Sequence, residues 1–158
     1  MRKLTVLLSF ILLLMLAFAG YFYAGGTLRA QPYVQTAAAA DYPEAFASIR
    51  SLIASGAAIQ VFDDTPLAED PSLYTLADIT VSLSNRGLFP AEWLDVRANA
   101  APGDIAVYAL TGEGGNVDAR GAAQVNLKLI TTARADAPRS IAIQYYVHGM
   151  KREITVTV

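Results

Sequence analysis

The fold of this chain is decided by one segment, residues 79–85, which reads ITVSLSN. Its apolar residues alternate with hydroxyl-bearing ones: Ile79, Val81 and Leu83 against Thr80, Ser82 and Ser84. Residues two apart lie on the same face of a β-strand. The segment therefore predicts a half-buried strand over 74–84, whose apolar face needs a second layer to pack against.

The same period of two recurs on both sides of this strand. Further strands are predicted over 57–62, 93–98, 105–110, 124–129, 141–147 and 154–158, separated by turns rich in Gly, Asn and Pro. Seven short strands without intervening helices indicate a mainly β domain. We expect a seven-stranded antiparallel β-sandwich of immunoglobulin-like architecture over 57–158.

A helical pattern precedes the strands. Apolar residues spaced about one helical turn apart predict an amphipathic helix over 42–55, within the region 41–56: Phe46, Ile49, Leu52 and Ile53. Asp41 followed by Glu44 has the spacing of a capping box, and Gly56 suits the helix end. We expect the apolar stripe to pack on the following domain. The alternative is a helix that binds a partner protein or a membrane surface, although it lacks the basic face of an interfacial helix.

The N-terminal residues predict a membrane span. Leu4–Ala24 is 21 residues long and almost entirely apolar, and at about 1.5 Å per residue it would make a helix of about 31 Å, close to the ~30 Å hydrocarbon core. Arg2 and Lys3 precede it and no comparable basic cluster follows. The positive-inside rule then predicts a single-pass anchor in the cell membrane over 1–24, with a cytoplasmic N-terminus and an extracytoplasmic C-terminal domain.

A cleaved signal peptide is the alternative for this segment. Ala17-Phe18-Ala19 before Gly20 has the small-x-small form that signal peptidase accepts. The anchor is favoured because the apolar run continues through Tyr21-Phe22-Tyr23, where aromatic rings would meet the outer headgroups. Both interpretations export the domain.

The residues that follow the apolar stretch, 25–40, are expected to form a spacer. They contain Gly-Gly, Gln-Pro and four consecutive alanines, with a single charge at Arg29. Such a composition indicates a linker, helical in part at most.

Composition excludes several classes of protein. The 158 residues are 54% hydrophobic and only 16% charged, which is too apolar for an ordinary soluble domain and agrees with the anchor. With no cysteine there is no disulfide, thiol nucleophile or thiolate metal site, and a single histidine disfavours most acid–base and zinc arrangements. Twelve basic against 14 acidic residues make nucleic-acid binding improbable.

Acidic residues form the main candidate metal site: Asp63, Asp64, Glu69, Asp70 and Asp78. Carboxylates are hard oxygen ligands of the kind that calcium takes. They lack the alternating spacing of a calcium loop, so we expect a solvated turn and no bound metal or cofactor.

Three further features are candidate sites. The segment Gly112–Gly115, GEGG, lacks the Gly-Lys-Ser/Thr of a phosphate loop and predicts a flexible hairpin connection. His148 has no second histidine and no nucleophile elbow, so we expect no catalytic residues and no enzymatic activity. Trp93 is expected to pack in the core or at its rim, with a hot spot for a partner as the alternative.

Part of the chain resembles two families of binding modules. The strand at 79–85 followed by Arg86-Gly87-Leu88-Phe89-Pro90 is similar to the strand and Asn-x-x-x-x-Pro of the LEA type 2 (water stress and hypersensitive response) domain. The glycine-rich hairpin and Tyr145-Tyr146-Val147-His148-Gly149 follow in that family's order, and the likeness covers about 75–158. Arg86-Gly87 replaces the Asn-Pro-Asn that the family prefers. Asn85-x-Gly87 with Ala91 is equally similar to bacterial CARDB modules. Either resemblance implies a binding or structural module without catalytic residues.

Together these features predict a membrane-anchored extracytoplasmic interaction or structural module of the cell envelope. Its expected partners are the lipid bilayer, through residues 4–24, and a protein of the envelope; no nucleic acid is expected. The alternatives are an accessory subunit of a larger membrane complex such as a transporter, and a secreted ligand-binding domain.

Overall fold

The described part of the chain is mainly β, with two α-helices. The computed structural model describes residues 2–24, 28–133 and 137–158. The helices are α1 (Arg2–Ala24) and α2 (Pro43–Ala54), and two 3-10 turns lie at Ala39–Asp41 and Pro71–Leu73. The strands are β1 (Leu28–Ala38), β2 (Gln60–Val61), β3 (Tyr74–Asn85), β4 (Glu92–Asn99), β5 (Asp104–Thr111), β6 (Ala122–Thr132), β7 (Ser140–Val147) and β8 (Met150–Thr157).

The strands form two antiparallel sheets with one core between them. The larger sheet has the order β1-β3-β6-β5-β2 and the smaller one the order β4-β7-β8. Buried side chains of both sheets meet in a single cluster, for example Ile79 and Leu127 of the larger sheet with Ile143 of the smaller. The residues that alternate with Ile79, Val81 and Leu83 are partly exposed, which confirms the predicted strand and its buried face. The predicted β-sandwich is confirmed at this level.

The predicted spacer over 25–40 is wrong for most of its length, because Leu28–Ala38 forms β1. β1 pairs with β3 from Leu28 opposite Asn85 to Ala38 opposite Thr75. It is an edge strand whose side chains are mostly exposed, so it lacks the apolar alternation by which buried strands are recognised. Residues 25–27 lie outside the described residues. The described chain has eight strands where seven were predicted, and the predicted strand over 57–62 shrinks to Gln60–Val61.

The predicted amphipathic helix is confirmed as α2, but its capping box is wrong. Asp41 ends a 3-10 turn, and the N-cap residue is Tyr42, which makes no side-chain capping bond. The C-terminal end follows the prediction: Gly56 has φ +72°, its N–H donates to the Ile53 carbonyl, and the next N–H reaches back to Leu52. These two bonds form a Schellman motif, which needs a residue in the left-handed region.

α2 packs on the sandwich, as its apolar stripe predicted. Phe46 and Ile49 are buried with Tyr74, Ile105 and Ile130 in a second core cluster. The rings of Phe46 and Tyr74 stack with their centroids 5.4 Å apart. Because Tyr74 begins β3 and Ile105 lies at the start of β5, α2 covers the end of the sandwich at which these strands begin.

The chain that leaves α1 reaches the sandwich at its opposite end. β1 begins there at Leu28, whose backbone N–H donates to the Tyr145 hydroxyl at 3.1 Å and so joins the two sheets. β4 and β8 also begin there, because the pairing of both strands with the last residues of β7 starts at Glu92 and Met150. We call this end the anchor end and the end covered by α2 the distal end.

α1 is long and apolar enough to cross a membrane over Lys3–Tyr21. Each of its described side chains is exposed. The side chains of Arg2, Phe22 and Tyr23, which entered the predictions of orientation and of an aromatic cluster, lie outside the described residues.

Candidate functional site

The Trp93 side chain is 69% exposed, which excludes the core position and leaves the rim of the domain or a partner hot spot among the predicted roles. The register of β4 against β7 shifts between Glu92 and Asp95, so that Trp93 and Leu94 both lie opposite Tyr145. This is a β-bulge, and its extra residue changes which side chains point inward. Leu94 takes the inward position, 2% exposed, and Trp93 is turned out to solvent.

The backbone of Trp93 is held in an uncommon conformation. Its φ is +56°, a left-handed value that is rare for bulky residues and costs on the order of 1–3 kcal/mol. Its N–H donates to the Asn116 side-chain oxygen at 3.1 Å. The next residue, Leu94, exchanges backbone bonds with the glycine hairpin, accepting from Gly114 at 2.7 Å and donating to Gly115 at 3.1 Å. The hairpin thus holds the backbone that carries an exposed tryptophan.

Trp93 is part of a larger exposed surface at the anchor end. It lines a shallow cavity of about 490 Å³ with Glu92, Tyr146 and Gly149. Exposed large apolar side chains at this end of the sandwich are Leu88, Trp93, Tyr146 and Met150. We call these four residues, with Glu92 and Gly149, the Trp93 surface. Trp93 and Tyr146 share one cavity, while Leu88 and Met150 are exposed at the same end of the sandwich. Exposed apolar area gathered at one end of a domain is typical of a binding surface.

The predicted hairpin at GEGG joins β5 to β6, but it is not an isolated flexible turn. Besides its bonds to Leu94, the connection pairs with the start of β4 through an isolated bridge between Val117 and Ala91. Gly112 has φ +86°, and a Cβ there would overlap the Gln124 carbonyl oxygen. The connection therefore joins the two sheets at the anchor end.

His148 lies in the turn between β7 and β8. His148 and Gly149 both have positive φ, +52° and +72°, as the two central residues of a type I′ hairpin require. The ring of His148 meets that of Phe89 edge-on, with their centroids 3.9 Å apart. These contacts give His148 a part in the packing of two loops at the anchor end.

Asn85 organises the loop that carried the family resemblance. It is 2% exposed, and its amide nitrogen donates to the carbonyls of Phe89 (2.7 Å) and Val117 (3.2 Å). Its side-chain oxygen accepts the Gly87 N–H at 2.9 Å. The bonds to Gly87 and Phe89 close the loop between β3 and β4, and the bond to Val117 ties that loop to the connection between β5 and β6. The Asn-x-x-x-x-Pro pattern is therefore a loop-closing motif in this chain.

The predicted acidic group does not come together as one site. Asp63 and Asp70 each accept the backbone N–H two residues on, at 2.9 Å, and the side-chain and backbone hydrogen bonds of Thr65 and Ser72 lower the pKa of these two carboxyls. The other two described contacts are ion pairs: Glu69 with Arg50 at 3.2 Å and Asp78 with Lys128 at 3.4 Å. Among the described residues, no three His, Cys, Asp or Glu side chains are grouped so as to hold a metal ion.

A second cavity of about 590 Å³ lies beside α2, on the outer face of the larger sheet. Its lining includes Tyr42, Tyr108, Asp78 and Lys128. Burial raises the pKa of Tyr108, and the negative charge of Asp78 adds to that effect. This cavity is polar, in contrast to the Trp93 surface at the other end of the domain.

Asp104 and Arg139 form a buried ion pair that no pattern in the sequence predicts. The carboxylate accepts Arg139 Nε and Nη2, both at 2.7 Å, and its other oxygen accepts the Ala101 N–H at 3.0 Å. The two side chains are 1% and 12% exposed. Asp104 begins β5 in the larger sheet and Arg139 precedes β7 in the smaller one, so the pair joins the sheets at the distal end. Only the fold brings residues 35 apart in sequence into this contact.

The only similarity to known proteins that the comparisons found is one of three-dimensional structure. No family model and no curated protein matches the chain. Solved structures similar to it include the GAE domain of yeast GGA1 (10% identity, TM-score 0.43, covering 52% of this chain and 77% of that one). The GAE domain of GGA2p from Saccharomyces cerevisiae has 13% identity and a TM-score of 0.35, covering 58% and 91%. The cupredoxin domain of amoB from Nitrosocaldus yellowstonii has 10% identity and a TM-score of 0.33, covering 85% and 88%. The resemblance to LEA type 2 and CARDB modules stays a prediction from the motifs.

Proposed function

We propose that this chain is a membrane-anchored, extracytoplasmic interaction or structural module of the cell envelope, without catalytic activity. One observation carries the proposal: an exposed apolar helix of membrane-spanning length is followed, after three residues, by a strand of the sandwich. Exposed apolar side chains along a whole helix need a bilayer or a protein to cover them. A bilayer covers them without any further component.

The strand order supports the immunoglobulin-like part of the proposal. β1-β3-β6-β5 and β4-β7-β8 correspond to the A-B-E-D and C-F-G sheets of a constant-type immunoglobulin domain. The short β2 extends the first sheet by one edge strand, and α2 with its loops is inserted between the first and second strands of that order. Domains of this architecture are common as binding modules at cell surfaces.

N-terminal sequencing and intact mass of the protein purified from membranes test the anchor. We expect an unprocessed N-terminus, together with a domain that external protease can reach after residue 25. The reason is length: cleavage after Ala19 would leave only residues 20–24 of the apolar run, far below the roughly 20 residues that a span needs. A mature chain that begins at Gly20 would replace this proposal with a secreted ligand-binding domain. A domain protected from external protease would contradict the proposed orientation.

An accessory subunit of a larger membrane complex is the second candidate function. It is favoured by the exposure of every described α1 side chain, because such a helix also suits packing against other membrane helices. Purification from native membranes in mild detergent separates the two. A stoichiometric membrane partner supports the accessory role, and a chain recovered alone supports the anchored module.

A further inference from the structure

We propose that the Trp93 surface rests on the headgroup region of the membrane that holds α1, with the Trp93 ring in the bilayer interface. This inference rests on the proposed anchoring function and adds a second membrane contact, made by the folded domain itself. The lipid surface is the partner that chain length, topology and charge all favour.

Chain length keeps the anchor end close to the membrane. Three residues separate Ala24 from Leu28, so their Cα atoms are at most about 14 Å apart even in a fully extended chain. Leu28 is not a loose extension of the anchor: its side chain is buried and its N–H is bonded to the Tyr145 hydroxyl. The start of β1 therefore ties the whole sandwich to the outer end of α1.

Topology places Trp93 beside that attachment point. Tyr145, which accepts the Leu28 N–H, is the residue of β7 that lies opposite Trp93 across the ladder. Paired residues in an antiparallel ladder have Cα atoms about 4.5–5.5 Å apart. Trp93 thus lies within about one side-chain length and one strand spacing of Leu28, the first residue of β1. The distal end is about 17 Å further away, because Tyr145 lies five residues from Ser140, the first residue of β7, and a strand rises about 3.4 Å per residue.

The chemistry of the Trp93 surface suits a bilayer interface. Tryptophan and tyrosine are enriched where lipid headgroups meet hydrocarbon, because each has an apolar ring and one polar group. Trp93 is 69% exposed, and Tyr146, Leu88 and Met150 add exposed apolar area at the same end. The bulge and the Asn116 bond hold the Trp93 backbone so that the ring stays turned out from the domain.

The distribution of charge over the domain also favours the anchor end as the one that faces the membrane. Around the anchor end the basic residues Arg29, Arg86, Arg120, Lys151 and Arg152 outnumber the acidic residues Glu92, Glu113 and Asp118. Residues 39–73, which include α2 at the distal end, carry six carboxylates against one arginine. Where the facing leaflet carries anionic lipid, it repels the acidic distal end and does not repel the slightly basic anchor end. The charge distribution therefore favours an orientation in which the anchor end, and not the distal end, faces the membrane.

Fluorescence of the full chain in lipid vesicles tests this contact, because Trp93 is the single tryptophan of the sequence. The protein is reconstituted into phosphatidylcholine vesicles and separated by flotation. Two quenchers are then compared: a nitroxide carried near the headgroup of the lipid, and iodide equilibrated on both sides of the bilayer. We expect the lipid nitroxide to quench Trp93 strongly and iodide to quench it weakly.

A matched control moves the tryptophan to the distal end. The double variant Trp93→Phe/Tyr42→Trp places the fluorophore at the start of α2, where the native Tyr42 is 54% exposed. There iodide should quench strongly and the lipid nitroxide weakly. We expect lipid quenching of the native chain to exceed that of the control variant by about threefold or more, since Trp93 sits at headgroup depth.

Each outcome decides between the possibilities. Lipid quenching of Trp93 that exceeds the control supports the contact. A chain that floats with the vesicles while iodide quenches Trp93 as strongly as the control overturns the contact and leaves the anchor standing. If Trp93 is shielded from both quenchers, and the shielding disappears on dilution into excess lipid, then a second copy of the chain covers the Trp93 surface. This result would also overturn the lipid contact. A chain that does not float overturns the anchoring function and this inference with it.

Discussion

Breaking the buried ion pair between Asp104 and Arg139 should destabilise the domain far more than its single contact suggests. Arg139→Met leaves the Asp104 carboxylate 1% exposed, with only the Ala101 N–H as a partner. Removing one member of a buried pair costs about 3–5 kcal/mol, because the remaining charge stays desolvated without compensation. Against a typical domain stability of about 5–15 kcal/mol, this is a large fraction of the total.

Urea unfolding of the full-length protein in mild detergent, followed by far-ultraviolet circular dichroism, measures this loss. With a urea dependence of about 2 kcal/mol per molar, the midpoint should fall by about 1.5–2.5 M. The control is Arg97→Met, since Arg97 and Asp95 form a 3.0 Å pair whose side chains are 66% and 36% exposed. Exposed pairs contribute less than about 1 kcal/mol, so the control should unfold near the wild-type midpoint.

A double variant separates the buried charge from other effects of the substitution. Asp104→Asn/Arg139→Met removes both charges and keeps an oxygen that can accept the Ala101 N–H. It should be more stable than Arg139→Met alone by about 2 kcal/mol, because no uncompensated charge remains. The reasoning is refuted if Arg139→Met unfolds within about 1 kcal/mol of the wild type, or if the double variant is no more stable than the single one.

The remaining predictions concern the core, the joined sheets, the hairpin and the acidic loop. Ile143→Asp should unfold the domain, because Ile143 has no exposure and an unpaired buried carboxylate costs several kcal/mol, whereas Gln144→Asp on the opposite face should be tolerated; equal melting of both variants would contradict the assigned faces. Tyr145→Phe should lower stability by about 1–3 kcal/mol by leaving the Leu28 N–H unpaired, measured by the same urea titration, and no change would mean that this bond does not join the sheets. Gly112→Ala should destabilise the domain by about 1 kcal/mol or more through its positive φ and the crowded Gln124 carbonyl, and a neutral result in thermal melts would refute that constraint. Melts with calcium and with chelator should coincide if the acidic loop is a plain turn, and a rise of several degrees with calcium would show a site that binds the folded state.

Local pattern predicted those elements whose burial is periodic. Alternation over 79–84 and the apolar stripe with Gly56 led to the correct strand and helix, because both elements bury one face against the rest of the domain. β1 was not predicted, because its burial is not periodic. An edge strand with mostly exposed side chains has no apolar period, and its stability comes from backbone bonds to β3, which depend little on the identity of the side chains.

The sequence by itself determined that an apolar helix of spanning length precedes a two-sheet β domain with α2 packed on it. The tertiary structure decided the rest: that Trp93 is exposed, that Asp104 meets Arg139, and that the Trp93 surface lies at the end where α1 enters. Each of these depends on strand register. A single extra residue in the bulge of β4 turns Trp93 outward and Leu94 inward. The sequence shows only the period of two, which does not reveal the position at which the strand register shifts by one residue.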